Sequence, residues 1–134
     1  MKILQPAGWA RPRGYANGVS VQGQQVYIAG MIGWDGEGRF HTDDFAGQVR
    51  QALLNVLAVL EEAGGRPEHI VRMTWYVTDK QEYIAAGKQV GGIFRELIGC
   101  YNAVMTAVQV VALMEDRAKV EIECTAVVPE NLQG

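Results

Sequence analysis

Apolar and polar side chains alternate without interruption from residue 119 to residue 126, and Val128 continues the apolar row. Val120, Ile122, Cys124, Ala126 and Val128 point to one side of an extended chain, and Lys119, Glu121, Glu123 and Thr125 to the other. This period predicts a strand. Its apolar row faces a core, and its acidic row faces water, a partner subunit or a ligand. Residues 104–113 form a second extended run just before it. Residues 70–77 predict another strand, with Val71, Met73, Trp75 and Val77 in one row and Ile70, Arg72, Thr74 and Tyr76 in the other. Near the start, residues 18–22 and 25–29 read as the arms of a hairpin turning at Gly23 and Gln24.

From residue 42 the period becomes helical. Phe45, Val49, Ala52, Leu53, Val56, Leu57 and Leu60 fall on one face. Thr42 or Asp43 is the expected N-cap. Gly64 and Gly65 stop the helix, because glycine takes the left-handed conformation at little cost. A second helix starts near Asp79, which stands at capping-box spacing from Glu82. Tyr83, Ala86, Val90, Phe94 and Leu97 mark its buried face. Gly87, Gly91 and Gly92 lie inside it, each costing roughly 1 kcal/mol relative to alanine. Either close packing against a neighbour or a functional kink accounts for them. The order is β-β-α-β-α-β-β, an α+β class in which two helices cover one face of a mixed sheet. The other face is left mixed, the kind of surface that finds a partner.

The chain has 134 residues, enough for a single domain spanning 1–134 with a core of its own. Apolar residues make up 49% and charged residues 20%, the composition of an ordinary soluble globule. The net charge is −3 and Lys and Arg are scattered, so no nucleic-acid partner is expected. No signal-like or membrane-spanning stretch stands out, and the expected location is cytoplasmic. Cys100 and Cys124 do not make a disulfide framework, and His41 and His69 are isolated, so no metal site is expected. The glycine-rich stretch at residues 30–38 is not a phosphate loop, since no Gly-Lys-Ser/Thr follows. Ser20 has no His-Asp pattern near it, which argues against triad chemistry.

Four segments together resemble one family. Ala46, Gln48, Arg50-Gln51, Leu53, Asn55-Val56, Ala58, Glu61 and Ala63-Gly64 closely match the first helix of the RidA/YjgF proteins, the reactive-intermediate (enamine/imine) deaminases. Thr106, Val108, Val110 and Leu113, followed by Val120-Glu121-Ile122-Glu123, resemble the family's C-terminal signature. Gly14-Tyr15 and Ala29-Gly30-Met31-Ile32 resemble its N-terminal landmarks. The likeness runs from about residue 14 to residue 128. It implies a chorismate-mutase-like fold and a homotrimer around a central β-barrel, with three pockets between subunits and no cofactor. In the active deaminases an arginine opens the signature strand and grips the substrate carboxylate, a contact strongest when bidentate. A tyrosine, an acidic residue and a water complete the pocket, and the water hydrolyses the imine and releases ammonia.

Carried over residue by residue, the resemblance fails where it matters most. The arginine position is Met105, which has no charge and no donor for a carboxylate. Ala29 stands for a serine, Ala107 for a small thiol residue and Gly87 for an asparagine. Tyr15, Gly30 and Glu121 are retained. The implied catalytic residues are Glu121 and Tyr15. The implied ligand contacts are Gly30, Met31, Gly87, Met105, Ala107 and Trp34. Each has a plainer alternative. Tyr15 is otherwise an aromatic at a strand start, Glu121 an interface carboxylate paired with Arg72 or Lys119, and Trp34 a packing residue. Arg11 and Arg13 either replace the missing cation or are solvated. Some family members carry the name ribonuclease, but the acidic balance here opposes strong phosphate binding. Two functions stay open: an imine or enamine hydrolase of altered specificity, and a trimeric small-molecule-binding protein without chemistry, the ligand in either case being an imine or a 2-oxo acid-like compound.

Overall fold

The structure, a computed structural model, describes residues 1–99 and 102–130. Cys100 lies outside the described residues. Four strands form the main sheet: β3 (Gln24–Ile32), β4 (Ile70–Val77), β5 (Val104–Gln109) and β6 (Val120–Val128). Their spatial order is β3-β6-β4-β5. β6 runs antiparallel to both neighbours, and β5 runs parallel to β4. Helix α1 (Phe45–Glu62) packs on β3 and β6, and α3 (Gly87–Leu97) packs on α1. The fold is α+β, with the helices on one face of a mixed sheet. Among the described residues no helix is long and apolar enough to cross a membrane.

The alternation in β6 does what its sequence requires. Val120, Ile122, Cys124 and Ala126 are buried under the helices, while Glu121 is half-buried and Glu123 exposed on the other face. Burial pushes the Cys124 thiol up to about 12. In α1, Val49, Ala52, Leu53, Val56 and Leu60 are fully buried, and Leu57 is half-buried. Gly64 ends the helix with a φ of 72°.

Four expectations need correction. Residues 18–22 and 25–29 are not a hairpin. β2 (Gly18–Ser20) pairs with β1 (Lys2–Leu4), and β3 takes β6 as its partner. Alternation identifies strands but not whom they pair with. The N-cap of α1 is Asp44, neither Thr42 nor Asp43. Its carboxylate accepts from the Gly47 N–H at 2.9 Å, while the Thr42 hydroxyl accepts from the Asp44 N–H. Ile70 lies in the core and not in the row of Arg72, because two residues of β4 oppose one of β6 between Ile70 and Arg72. The second helix is two pieces, α2 (Lys80–Ala85) and α3, separated at Ala86. Asp79 caps α2 as expected, but the Glu82 carboxylate pairs with Lys119 Nζ at 3.2 Å.

One buried side chain was in the helix motif without an assigned role. Gln48 is fully buried. Its amide donates to the carbonyls of Thr42 and Arg117 and its oxygen accepts from the Lys119 N–H, at 2.8–3.2 Å. This pins the entry to β6 onto α1, and every polar atom of the side chain is used.

Candidate functional site

The sequence-derived site residues separate into three places. The first is the outer edge formed by β5. Ala16 bridges Val104, and its N–H donates to the Ala103 carbonyl at 3.0 Å. That bridge sets Tyr15, which is 40% exposed, beside the start of β5. Tyr15, Met105 and Thr106 line one hollow of about 650 Å³ together with Arg72. Arg72 has no ion pair among the described residues. Sequence reasoning gave Arg72 only an interface role. Arg72 keeps the row with Thr74 and Tyr76 that the alternation predicts, and its place beside Tyr15 comes from tertiary packing, which no periodicity signals. Arg11 lines a second hollow against Tyr15, of about 350 Å³. Arg13 is exposed on the same segment.

Met105 pairs with Met73 and therefore faces the helix side of the sheet, where it packs against the core. Ala107 lies two residues on in the same row, exposed, beside Trp75. Gly87 opens α3 and shares with Met105 a cavity of about 220 Å³. No atom comes within 4 Å of where a Cβ would stand at Gly87, Gly91 or Gly92. Close packing within the chain therefore does not explain these glycines.

The second place is where β3 bulges over β6. The register shifts between Ile28 and Met31. This brings Gly30 down onto Glu121, where a Cβ would stand 2.6 Å from Glu121 Oε1. A side chain at residue 30 would have to push the Glu121 carboxylate aside. Met31 is half-buried opposite Ile122. Across β6, the Tyr76 hydroxyl donates to Glu123 Oε1 at 2.5 Å. That hydrogen bond raises the Tyr76 pKa, helped by burial and by the charges of Glu123 and Glu121. Lys119 is turned to Glu82. Among the described residues the carboxylate of Glu121 has neither a cation nor a donor.

The third place is the glycine-rich loop. Trp34 bridges Phe40, with ring centroids 5.9 Å apart, and Asn55 donates to the Trp34 carbonyl at 2.7 Å. Trp34 lines a hollow with Arg117, which stacks over Phe40 at 5.2 Å. The loop is closed by Asp35. Its carboxylate accepts from the N–H groups of Arg39 and Glu37 and contacts His41 Nε2 at 2.7 Å, and these bonds hold its pKa at about 2.

The structure thus brings Tyr15, Met105 and Gly87 to one edge, Gly30, Met31 and Glu121 to another, and leaves Trp34 apart. Met105 and Glu121 point from opposite faces of the sheet. One chain alone does not assemble a pocket holding both. The chemistry present among the described residues is a phenol at the β5 edge and, on the open sheet face, a guanidinium without an ion pair and an unpaired carboxylate. Among the described residues no group of three His, Cys, Asp or Glu is placed to hold a metal.

Residues 9–128 match the sequence model of the Endoribonuclease L-PSP family. The chain is 32% identical over 136 residues to a RutC family protein of Synechocystis sp., covering 96% of this chain and 98% of that one. It is 34% identical over 113 residues to the 2-iminobutanoate/2-iminopropanoate deaminase of Salmonella typhimurium, covering 84% of this chain and 86% of the other. Among solved structures it resembles YyfB of Yersinia pestis, a Rid family protein of unknown function. The TM-score is 0.80 at 28% identity, covering 95% of this chain and 98% of that one. With this fold and these motifs, the chain belongs to the Endoribonuclease L-PSP family, the RidA/YjgF proteins.

Proposed function

We propose that the protein is a homotrimer that binds a small metabolite in pockets between its copies and hydrolyses imines or enamines, with a specificity shifted away from small anionic substrates. The observation that carries this reading is the split site. Met105 and Glu121 lie on opposite faces of one sheet, with Met105 at its β5 edge, so a pocket using both needs the β5 edge of one copy against the β3–β6 strands of the next. Closed cyclic symmetry satisfies all such halves at once. Glu121, unpaired in the chain, would hold the attacking water, and Tyr15 would orient the substrate. The name of the Salmonella relative supports the reaction class. Met105 supports the shift in specificity, because a thioether offers no donor to a carboxylate. Arg11 and Arg72, which line hollows with Tyr15, are the cations available for an anionic group.

The test is ammonia release across imines derived from several amino acids, run beside the Salmonella relative. Turnover of bulky or uncharged imines, with little for 2-iminopropanoate, is the expected result. Release from 2-iminopropanoate at the relative's rate, unchanged when Arg11 and Arg72 are both replaced, would refute the reading from Met105. The same missing cation favours a second reading, a trimer that binds its ligand without turnover. Tight binding with no ammonia from any imine would select it.

A further inference from the structure

Two amides of α1 hold the backbone on either side of Glu121. Gln48 and Asn55 share one face of that helix, the first fully buried and the second half-buried. The Gln48 oxygen accepts from the Lys119 N–H at 2.8 Å, two residues before Glu121, and its amide donates to the Arg117 carbonyl at 2.9 Å. The Asn55 amide donates to the carbonyls of Ile32 and Trp34 at 3.1 and 2.7 Å. Ile32 is the residue that faces Glu121 in the β3–β6 ladder. Gln51 donates to the Asn55 oxygen at 2.9 Å, which turns the Asn55 amide hydrogens toward those two carbonyls.

These bonds lie where the ladder is weakest. The register of β3 against β6 shifts between Ile28 and Met31, and a bulge disrupts pairing locally. Beyond it only Met31 and Ile32 are paired with β6. Gly33 then comes so close to α1 that a Cβ would stand 2.6 Å from Gln48 Cβ and 2.8 Å from its Cα. A helix backbone cannot swing aside as a side-chain end can, so a glycine here lets β3 reach both amides. Buried amides cost stability unless they are hydrogen-bonded, and an apolar residue of similar size carries no such cost.

We propose that Gln48 and Asn55 are positioning residues for Glu121. One fixes the backbone through Lys119 and the other through Ile32, and together they hold the carboxylate against Gly30. The proposal rests on the reading of Glu121 as the group that holds the attacking water. Because α1 packs on the sheet face opposite Glu121, both amides act through the backbone and neither touches the substrate.

The variants are Asn55→Ala and Gln48→Met, and Asn55→Ala decides alone if Gln48→Met does not fold. Leu53→Ala is the control, because it weakens the same helix and removes none of these hydrogen bonds. The first readout is the Gly30 amide signal in NMR, which in the parent should follow the titration of the adjacent carboxylate. Glu121→Gln identifies that response. It should be largely lost in the folded amide variants and kept in Leu53→Ala. The second readout is imine turnover, where kcat should fall by up to about a hundredfold with KM held, the order expected when a reacting group is misplaced by about 1 Å. Leu53→Ala, while folded, should keep its kcat. A parent Gly30 signal that ignores the carboxylate, or an unchanged response in the folded amide variants, overturns the proposal. So does an equal loss of kcat in Leu53→Ala, which would make the effect one of stability alone. If the amide variants hydrolyse imines at the parent's kcat, the positioning role is wrong and the deaminase reading stands. If the Gly30 response behaves as described and the parent hydrolyses no imine, the positioning role stands and catalysis falls.

Discussion

Single residues in this chain are fixed by what they touch, and several identities make sense only in that light. The glycine at residue 30 lets the Glu121 carboxylate lie where a side chain would stand. Gln48 is a buried amide because three backbone groups need it. Asp35 closes the glycine-rich loop by accepting two backbone N–H groups and His41. Those bonds favour the ionised form, so its pKa falls from the usual 3.8 to about 2. A depressed carboxylate contributes stability above its unfolded pKa and loses it as pH falls through the folded value. The loop should therefore keep its structure at pH 4 and loosen toward about pH 2. The amide shifts of Glu37 and Arg39, followed by NMR, check this. A midpoint at 3.8 would mean that the bonds do not form in solution.

At the scale of elements, periodicity carried most of the fold. The face of α1 was readable because seven apolar positions recur at helical spacing, and the structure buries all but the half-buried Leu57 on the side that packs against β3 and β6. Leu53→Ala should cost on the order of 2–5 kcal/mol in denaturant melts, and a loss below about 0.5 kcal/mol would displace that face from the core. Bulges, strand partners and the break at Ala86 were not readable. A bulge adds one residue without changing composition, and β2 looks the same whether it pairs with β1 or β3. The candidate site was legible as residues but not as places. Tyr15, Glu121 and Met105 stood out through motif likeness, whereas the strands that set Glu121 and Met105 on opposite faces follow from register, and the place of Arg72 beside Tyr15 from tertiary packing. The glycines of α3 are a separate case. With open space at Gly91, Gly91→Ala should raise stability by up to about 1 kcal/mol. A loss of stability on thermal melting would show that a neighbouring copy packs there.

For the whole molecule, the open sheet face is the unfinished part. It carries Tyr27, 73% exposed, with Glu121, Glu123 and an unpaired Arg72, and the loop after β5 exposes Val111 and Met114 almost fully. The proposed ring of three copies would join Met105 of one chain to Gly30 and Glu121 of another. The central claim is that residue 105 holds the place of the carboxylate grip in that shared pocket. Met105→Arg tests it most directly, by titration calorimetry with 2-oxobutyrate on protein shown by native mass spectrometry to be a trimer. One charge-assisted bidentate contact contributes about 1.5–3 kcal/mol, so affinity should rise roughly tenfold to hundredfold over the parent. The gain should survive most of the effect of high salt, because a buried pair is poorly screened. A folded trimer whose affinity for 2-oxobutyrate does not change would contradict the claim and remove residue 105 from the ligand site.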